Sequence, residues 1–235
     1  MIVRPIKTRI FCEGEDLIPF ITKYVPKLKD GSVLAVTSKI VALSEGRTVS
    51  PKTKKEREKI IKAESQWAIE SFPNWWLTIR DGMFTINAGI DKSNADGKVV
   101  LLPKDSFRAA ARIRTELRKK YRVRNLGVVI TDSRVAPLRR GVFGTALGYA
   151  GFKGLRDYRG KPDIFGRKLR VTQVNIPDSL ATAAALVMGE GSERQPLAII
   201  EDASVEFCNT VNKRELRIPK KKDIYRRLFG RLLKS

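Results

Sequence analysis

The sequence predicts an α+β fold. Segments patterned as strands and as helices are mixed along the chain without a regular βαβ rhythm, which argues against a doubly wound sheet. With 42% hydrophobic and 31% charged residues, the composition is that of a globular chain. A length of 235 residues fits one large domain or two small ones sharing a core.

The elements follow in order. Residues 31–41, GSVLAVTSKIV, read as a buried strand running into a Thr/Ser turn, because β-branched residues follow a glycine. Residues 49–62 open a basic helix expected to run through Trp67 and Ile69, with Ser50 as cap, Pro51 in the first turn and Pro73 as its stop. Residues 75–86 form a strand pair turning at Asp81-Gly82. A loop rich in Asn, Asp and Gly (NAGIDKSNADG) then leads to the apolar run VVLLP. A helix is predicted over 106–122, with Phe107, Ala111, Leu117 and Tyr121 on its apolar face. Residues 126–130, LGVVI, are the clearest buried strand, delivering Thr131-Asp132-Ser133 at its C-terminal end. A Gly-rich region from 141 to 154 and a basic strand near 169–175 follow. Pro177 opens an alanine-rich helix that stops at Gly189, and 197–200 form a last strand. Residues 1–216 read as the folded domain. The tail, 217–235, places Ile224, Leu228 and Leu232 four apart among cations, which predicts a basic amphipathic helix.

Composition narrows the chemistry. The chain has no histidine, which excludes a Ser-His-Asp triad, a Cys-His pair, His-bound zinc and a His general base. Its two cysteines, Cys12 and Cys208, form no CxxC pair, so a thiol metal site is excluded and inert thiols are expected. What remains is carboxylates, Lys/Arg, hydroxyls, backbone amides and oxygen-bound hard cations, a set suited to phosphate chemistry. A net charge of +22 attracts polyanions: nucleic acid, nucleotides, acidic substrates or anionic membranes. No apolar run approaches the ~20 residues of a membrane span, and the start, MIVRPIKTRIF, lacks the apolar stretch of a secretory signal, so a cytoplasmic location is expected.

Three loops put a carboxylate beside small or hydroxyl residues after a regular element: 87–94 with Asp91, 131–133 with Asp132, and 188–191 with Glu190. Hard-metal and phosphate sites are built this way. Ordinary turn chemistry explains any one such loop taken alone.

The loop sequences are more specific in combination. NAGIDKSN at 87–94, ITDS at 130–133, RRG with a later Gly over 139–148 and LVMGEG at 186–191 occur in this order. Together with VLAVTSKIV, EGR and DYRGKPDIFGRKLRVT, they make the chain resemble the coenzyme F420-0:L-glutamate ligase family from about residue 30 to 200. The resemblance implies a GTP- (or ATP-) dependent amide ligase using two divalent ions, Mg²⁺ or Mn²⁺, in a fold of two interleaved subdomains sharing one site, paired as an intertwined homodimer. It implies that Asp91 and Asp132 hold one metal, and Ser133 and Glu190 the other. It places Ser38, Lys39, Asn94 and the backbone around Met188, Gly189, Gly191, Ser192 and Glu193 at the nucleotide. The implied partners are L-glutamate, a nucleoside triphosphate and an acidic carboxylate acceptor. Arg139 and Arg140 are candidates for gripping phosphate or the α-carboxylate of glutamate, because a guanidinium matches such anions with two parallel bonds.

Three departures from the family pattern bear on substrate. TRIFC at 8–12 replaces a Gly-Leu-Pro segment, Leu43 stands where a nucleotide-contacting Lys is usual, and DSRVAPLRRG replaces an Asp-Thr-x-Gly-Arg pattern. The acceptor therefore stays open between coenzyme F420-0, folate and a glutamate peptide. A nucleic-acid-binding protein on a ligase-like fold is the reading from another class, supported by the charge and the basic tail. Against it, the basic residues are not interleaved with a series of stacking aromatics.

Overall fold

A computed structural model describes residues 1–93, 97–219 and 222–227. The first half contains β1 (Ile2–Ile6), α1 (Leu17–Tyr24), β2 (Ser32–Thr37), α2 (Ser38–Ser44), β3 (Thr48–Val49), α3 (Lys54–Ala63), β4 (Trp67–Phe72), β5 (Trp75–Arg80), β6 (Met83–Ile86) and β7 (Val99–Val100). The second half contains α4 (Ser106–Tyr121), β8 (Leu126–Arg134), β9 (Phe143–Ala150), β10 (Leu155–Asp157), β11 (Gln173–Asn175), α5 (Ile176–Met188) and β12 (Leu197–Glu201). The fold is α+β, as the mixed pattern predicts. No helix among the described residues is long and apolar enough to cross a membrane.

A five-stranded sheet in the order β1-β12-β2-β8-β9 forms the middle layer; β2 and β8 run parallel and the other pairs antiparallel. Side chains alternate across a strand. Leu34 and Val36 of β2 therefore pack with Phe20, Ile40, Ile113 and Leu117 from α1, α2 and α4. Val33 and Ala35 pack on the opposite face against Leu180, Ala181 and Ala184 of α5. Helices on both faces explain why VLAV is a continuous apolar run. Each such aliphatic side chain contributes about 1.5–3 kcal/mol by leaving water.

Glycines let the helices approach the sheet. A Cβ on Gly148 would lie 2.4 Å from the Ser106 carbonyl carbon in α4, and one on Gly144 would lie 2.3 Å from the Ala181 carbonyl oxygen in α5. The Gly-rich stretch is thus largely a core strand, β9, flanked by two helices.

Between α2 and α4 the chain builds a smaller unit: the meander β4-β5-β6, the pair β3-β7 and α3. The predicted turn at Asp81-Gly82 is present, with both residues at positive φ (51° and 76°).

Several expectations are corrected. Residues 38–44 are a helix, α2, rather than a turn, because Ile40 and Val41 gain burial against the sheet. Helix α3 starts at Lys54, where the Thr53 hydroxyl accepts the Glu56 N–H at 3.1 Å; Ser50 is not the cap. It ends at Ala63, so Trp67 and Ile69 lie in β4, pairing with Ile79 and Leu77. The local basic pattern continued the helix too far because strand pairing with β5, invisible in the segment itself, wins. In α4 the buried face is Ala109, Ala110, Ile113 and Leu117, whereas Ala111 is exposed. The basic strand near 169–175 shrinks to Gln173–Asn175. Neither β1 nor α1 is legible in the sequence pattern. In the tail, the described residues hold one 3₁₀ turn, Ile224–Arg227, with no buried side chain; Lys220, Lys221, Leu228, Arg231 and Leu232 lie outside the described residues.

Candidate active site

The parallel strands β2 and β8 end side by side, with Thr37 opposite Thr131. The chain continues from β2 directly into α2, so Ser38 and Lys39 sit at that edge beside Asp132. The Ser38 hydroxyl donates to Asp132 Oδ1 at 3.1 Å. Register shifts between Ile130 and Thr131 where β8 pairs with β9, a bulge of the kind that re-aims side chains next to sites.

Asp91 reaches this edge from the smaller unit. Its backbone exchanges hydrogen bonds with Val100, N to O at 3.0 Å and 2.8 Å. The approach is a left-handed turn: Asn87, Ala88 and Gly89 have φ of 50°, 58° and 72°. Non-glycine residues pay for that conformation, and here side chains offset the cost. Asn87 Oδ1 accepts the Trp76 N–H at 2.9 Å, and the Thr78 hydroxyl accepts the Ala88 N–H at 2.9 Å. A Cβ on Gly89 would lie 2.6 Å from Leu102 Cδ1, so that position is glycine on two counts. The NAGID string is therefore a machine-fit turn whose purpose is to place Asp91.

Lys39 Nζ pairs with Asp91 Oδ2 at 2.7 Å and donates to the Ser93 carbonyl at 2.8 Å. Ser93 donates to Asp91 from its N–H at 2.6 Å and its hydroxyl at 2.7 Å. Burial works to raise the Asp91 carboxyl, but the Lys39 ammonium and the Ser93 donors outweigh it and hold it below the ordinary range. At Asp132 burial wins: its carboxyl is pushed up, against the pull of Arg134 and Ser38 and with a further push from Asp91.

Ser133, next along β8, faces the other way and donates to Glu190 Oε1 at 2.5 Å, just past α5. The structure thus joins Ser38 with Asp132, Lys39 with Asp91, and Ser133 with Glu190. Gly189 caps α5 at φ 79°, donating to the Ala185 carbonyl, and Gly191 N–H donates to Glu193 Oε2 at 2.8 Å. Ser192 and Glu193 are exposed, while the Met188 side chain is buried in the core under α5, leaving only its backbone to face a ligand. Arg139 and Arg140 are exposed on the β8–β9 turn and make no ion pair among the described residues. Asn94 lies outside the described residues.

Two residues at the site escaped the sequence reading. Ser93 bridges Asp91 and Lys39; its signal was the DKS string after the strained turn. Arg134 is buried, with Nη1 donating to the Phe84 carbonyl at 2.6 Å and Nε and Nη2 unpartnered among the described residues. Burial pushes its guanidinium down, opposed by Asp132, Asp178 and Asp81. Nothing local distinguishes it among 47 Lys and Arg. Leu43 packs against the core on α2, which gives the position an apolar role that a lysine would not fill.

No cluster of three or more acidic, His or Cys side chains exists among the described residues. The oxygens instead stand in separate contacts: Asp91 with Lys39 and Ser93, Asp132 with Ser38, and Ser133 with Glu190. Carboxylate and hydroxyl oxygens of this kind are the donor types that Mg²⁺ or Mn²⁺ takes, with waters and substrate phosphates completing the shell.

The family model described as F420-0:Gamma-glutamyl ligase matches residues 5–202. The chain is 36% identical over 217 residues to a coenzyme F420:L-glutamate ligase of Methanococcus maripaludis, covering 91% of this chain and 86% of the relative. It is 36% identical to the protein of that name from Methanopyrus kandleri, covering 87% of each chain. With the one from Archaeoglobus fulgidus the identity is 32%, covering 94% of each. A family match across nearly the whole chain and curated relatives at this identity make the protein a member of the F420-0:gamma-glutamyl ligase family.

Proposed function

We propose that this protein joins L-glutamate to a carboxylate acceptor of the coenzyme F420-0 type, using a nucleoside triphosphate and two divalent ions. The observation that carries the reading is the cluster of Asp91, Lys39 and Ser93 meeting Ser38 and Asp132 at the ends of two parallel strands. It combines anionic oxygens, one cation and hydroxyl donors, and it needs no imidazole.

Asp91 and Asp132 would hold one divalent ion, Ser133 and Glu190 the other. When bound, the ions neutralise phosphate charge and polarise the γ-phosphoryl group. Lys39, freed from Asp91, would pair with a phosphate oxygen. The acceptor carboxylate attacks the γ-phosphorus and displaces the nucleoside diphosphate, giving an acyl phosphate. The glutamate amine then attacks the acyl carbon; a C–N bond forms, the C–O bond to phosphate breaks, and the amine proton leaves with phosphate or solvent. Positioning and electrostatics carry such a reaction.

We also infer a homodimer. Val142, Phe143 and Leu186 are exposed, as are Ile164 and Phe165 in the segment between β10 and β11. Exposed apolar side chains of this kind support an interface between copies.

The test is product mass spectrometry and phosphate release after incubation with glutamate, GTP or ATP, Mg²⁺ or Mn²⁺, and a panel of F420-0, folate and glutamate-peptide acceptors. A mass gain of one glutamyl residue on one acceptor supports the reading. Glutamate-independent hydrolysis with every acceptor refutes it.

A further inference from the structure

The net charge of +22 is far more than the candidate site needs, and the structure shows where part of it goes. Helix α4 buries Ala109, Ala110, Ile113 and Leu117 against the sheet. Its opposite side carries Arg108, Arg112 and Lys119, all exposed, and Arg122 is exposed at the left-handed cap that follows. The three helical cations fall at i, i+4 and i+11, with Thr115 at i+7, which is one stripe at 3.6 residues per turn. Arg124, beyond the left-handed cap at Arg122, is also exposed. None of the five makes an ion pair among the described residues. The acidic residue nearest the stripe on α4, Glu116, lies at its edge. The stretch of helix from Arg108 to Lys119 spans about 16 Å, beside which a duplex presents about ten phosphates.

We propose that this face of α4 binds the phosphodiester backbone of a double-stranded nucleic acid without reading its sequence. The chemistry of the face selects that partner. A membrane-surface helix needs large apolar side chains to insert, and those of α4 are committed to the core. Single-strand binding relies on aromatic platforms, but Tyr121 donates its hydroxyl to the Val25 carbonyl and Phe107 packs on Tyr149. What the face offers is charge at regular spacing, the requirement for backbone contact alone. None of Asp91, Asp132 and Glu190 belongs to α4, so the inference is independent of the ligase reading.

The experiment is fluorescence anisotropy of the full chain with labelled duplex DNA, duplex RNA and single-stranded RNA of about 20 nucleotides per strand, with unlabelled poly-L-glutamate as competitor. Five phosphate contacts predict a slope near −4.5 of log K against log salt, an affinity loss of about 500-fold between 50 and 200 mM salt. Reversing three charges (Arg112→Glu, Lys119→Glu, Arg122→Glu) is expected to cut the slope to about −2. The corresponding Gln variant guards against misfolding and is expected to move the same way. A control with equal charge change on α3 (Lys54→Glu, Lys55→Glu, Lys59→Glu) is expected to keep nearly the wild-type slope. The duplex that binds more tightly identifies DNA or RNA as the source of the backbone. Absence of duplex binding at 50 mM salt overturns the proposal. So does equal loss in the α3 control, equal binding of single strands, or equally effective competition by poly-L-glutamate.

Discussion

At the scale of single residues, the site is expensive to build. Gly89 sits at φ 72° with the Leu102 side chain where a Cβ would go. Gly89→Ala is expected to cost about 2–3 kcal/mol in chemical denaturation and to weaken activity by displacing Asp91. By contrast, Gly160→Ala, also at positive φ but with open space around it, is expected to cost only about 1 kcal/mol. Glu64 is a second informative residue. It pairs with Arg47 at 2.5 Å and with Arg80, joining α3 to the meander. Burial works to raise its carboxyl, but the two guanidinium groups outweigh it and the group is held below 4.5. A depressed carboxyl stabilises the fold above its unfolded pKa, and that stability is lost as pH falls through the folded value. Glu64→Gln is therefore expected to destabilise by about 3 kcal/mol at neutral pH, with the gap to wild type closing below about pH 4.5 in thermal melts.

Elements show how much of the architecture was local. β8, α5, β12 and the β5–β6 hairpin follow from apolar runs, Pro177, Gly189 and Asp81-Gly82, because their signals sit inside the segments themselves. α2 and β4 did not, since their states depend on what they pack against or pair with. β1 pairs in register with β12, Ile2 opposite Glu201, a partner almost the whole chain away. Gly148 makes the same point for packing. A Cβ there meets the backbone of α4, which cannot yield as a side chain can. Gly148→Ala is expected to lower stability by about 2–3 kcal/mol, checked by urea unfolding, because overpacking forces helix and sheet apart.

For the whole molecule, three side-chain pairs tie distant elements together: Lys39 with Asp91, Ser38 with Asp132, and Ser133 with Glu190. Asp91→Asn and Asp132→Asn are each expected to reduce glutamate-dependent phosphate release by about 10²–10³-fold while leaving the melting temperature near wild type. Unchanged turnover in both variants would remove these residues from the site. Chelation by EDTA should abolish turnover and re-addition of Mg²⁺ or Mn²⁺ restore it. Light scattering is expected to give twice the 26.5 kDa chain mass, and Phe143→Asp with Leu186→Asp to return the protein to monomer.

The sequence by itself determined the family, because a set of ordered strings is a property of order, and its absence of histidine excluded imidazole chemistry. It also determined the candidate oxygen donors. Only the tertiary structure decided their partners: Lys39 on Asp91 and Ser93, Ser38 on Asp132, Ser133 on Glu190. The pairs Lys39–Ser93, Ser38–Asp132 and Ser133–Glu190 are 54, 94 and 57 positions apart, and no local pattern encodes which side chains a folded sheet brings together. The burial of Arg134 and the alignment of cations along α4 are of the same kind. Both depend on which face of an element the core takes, and that is settled by packing.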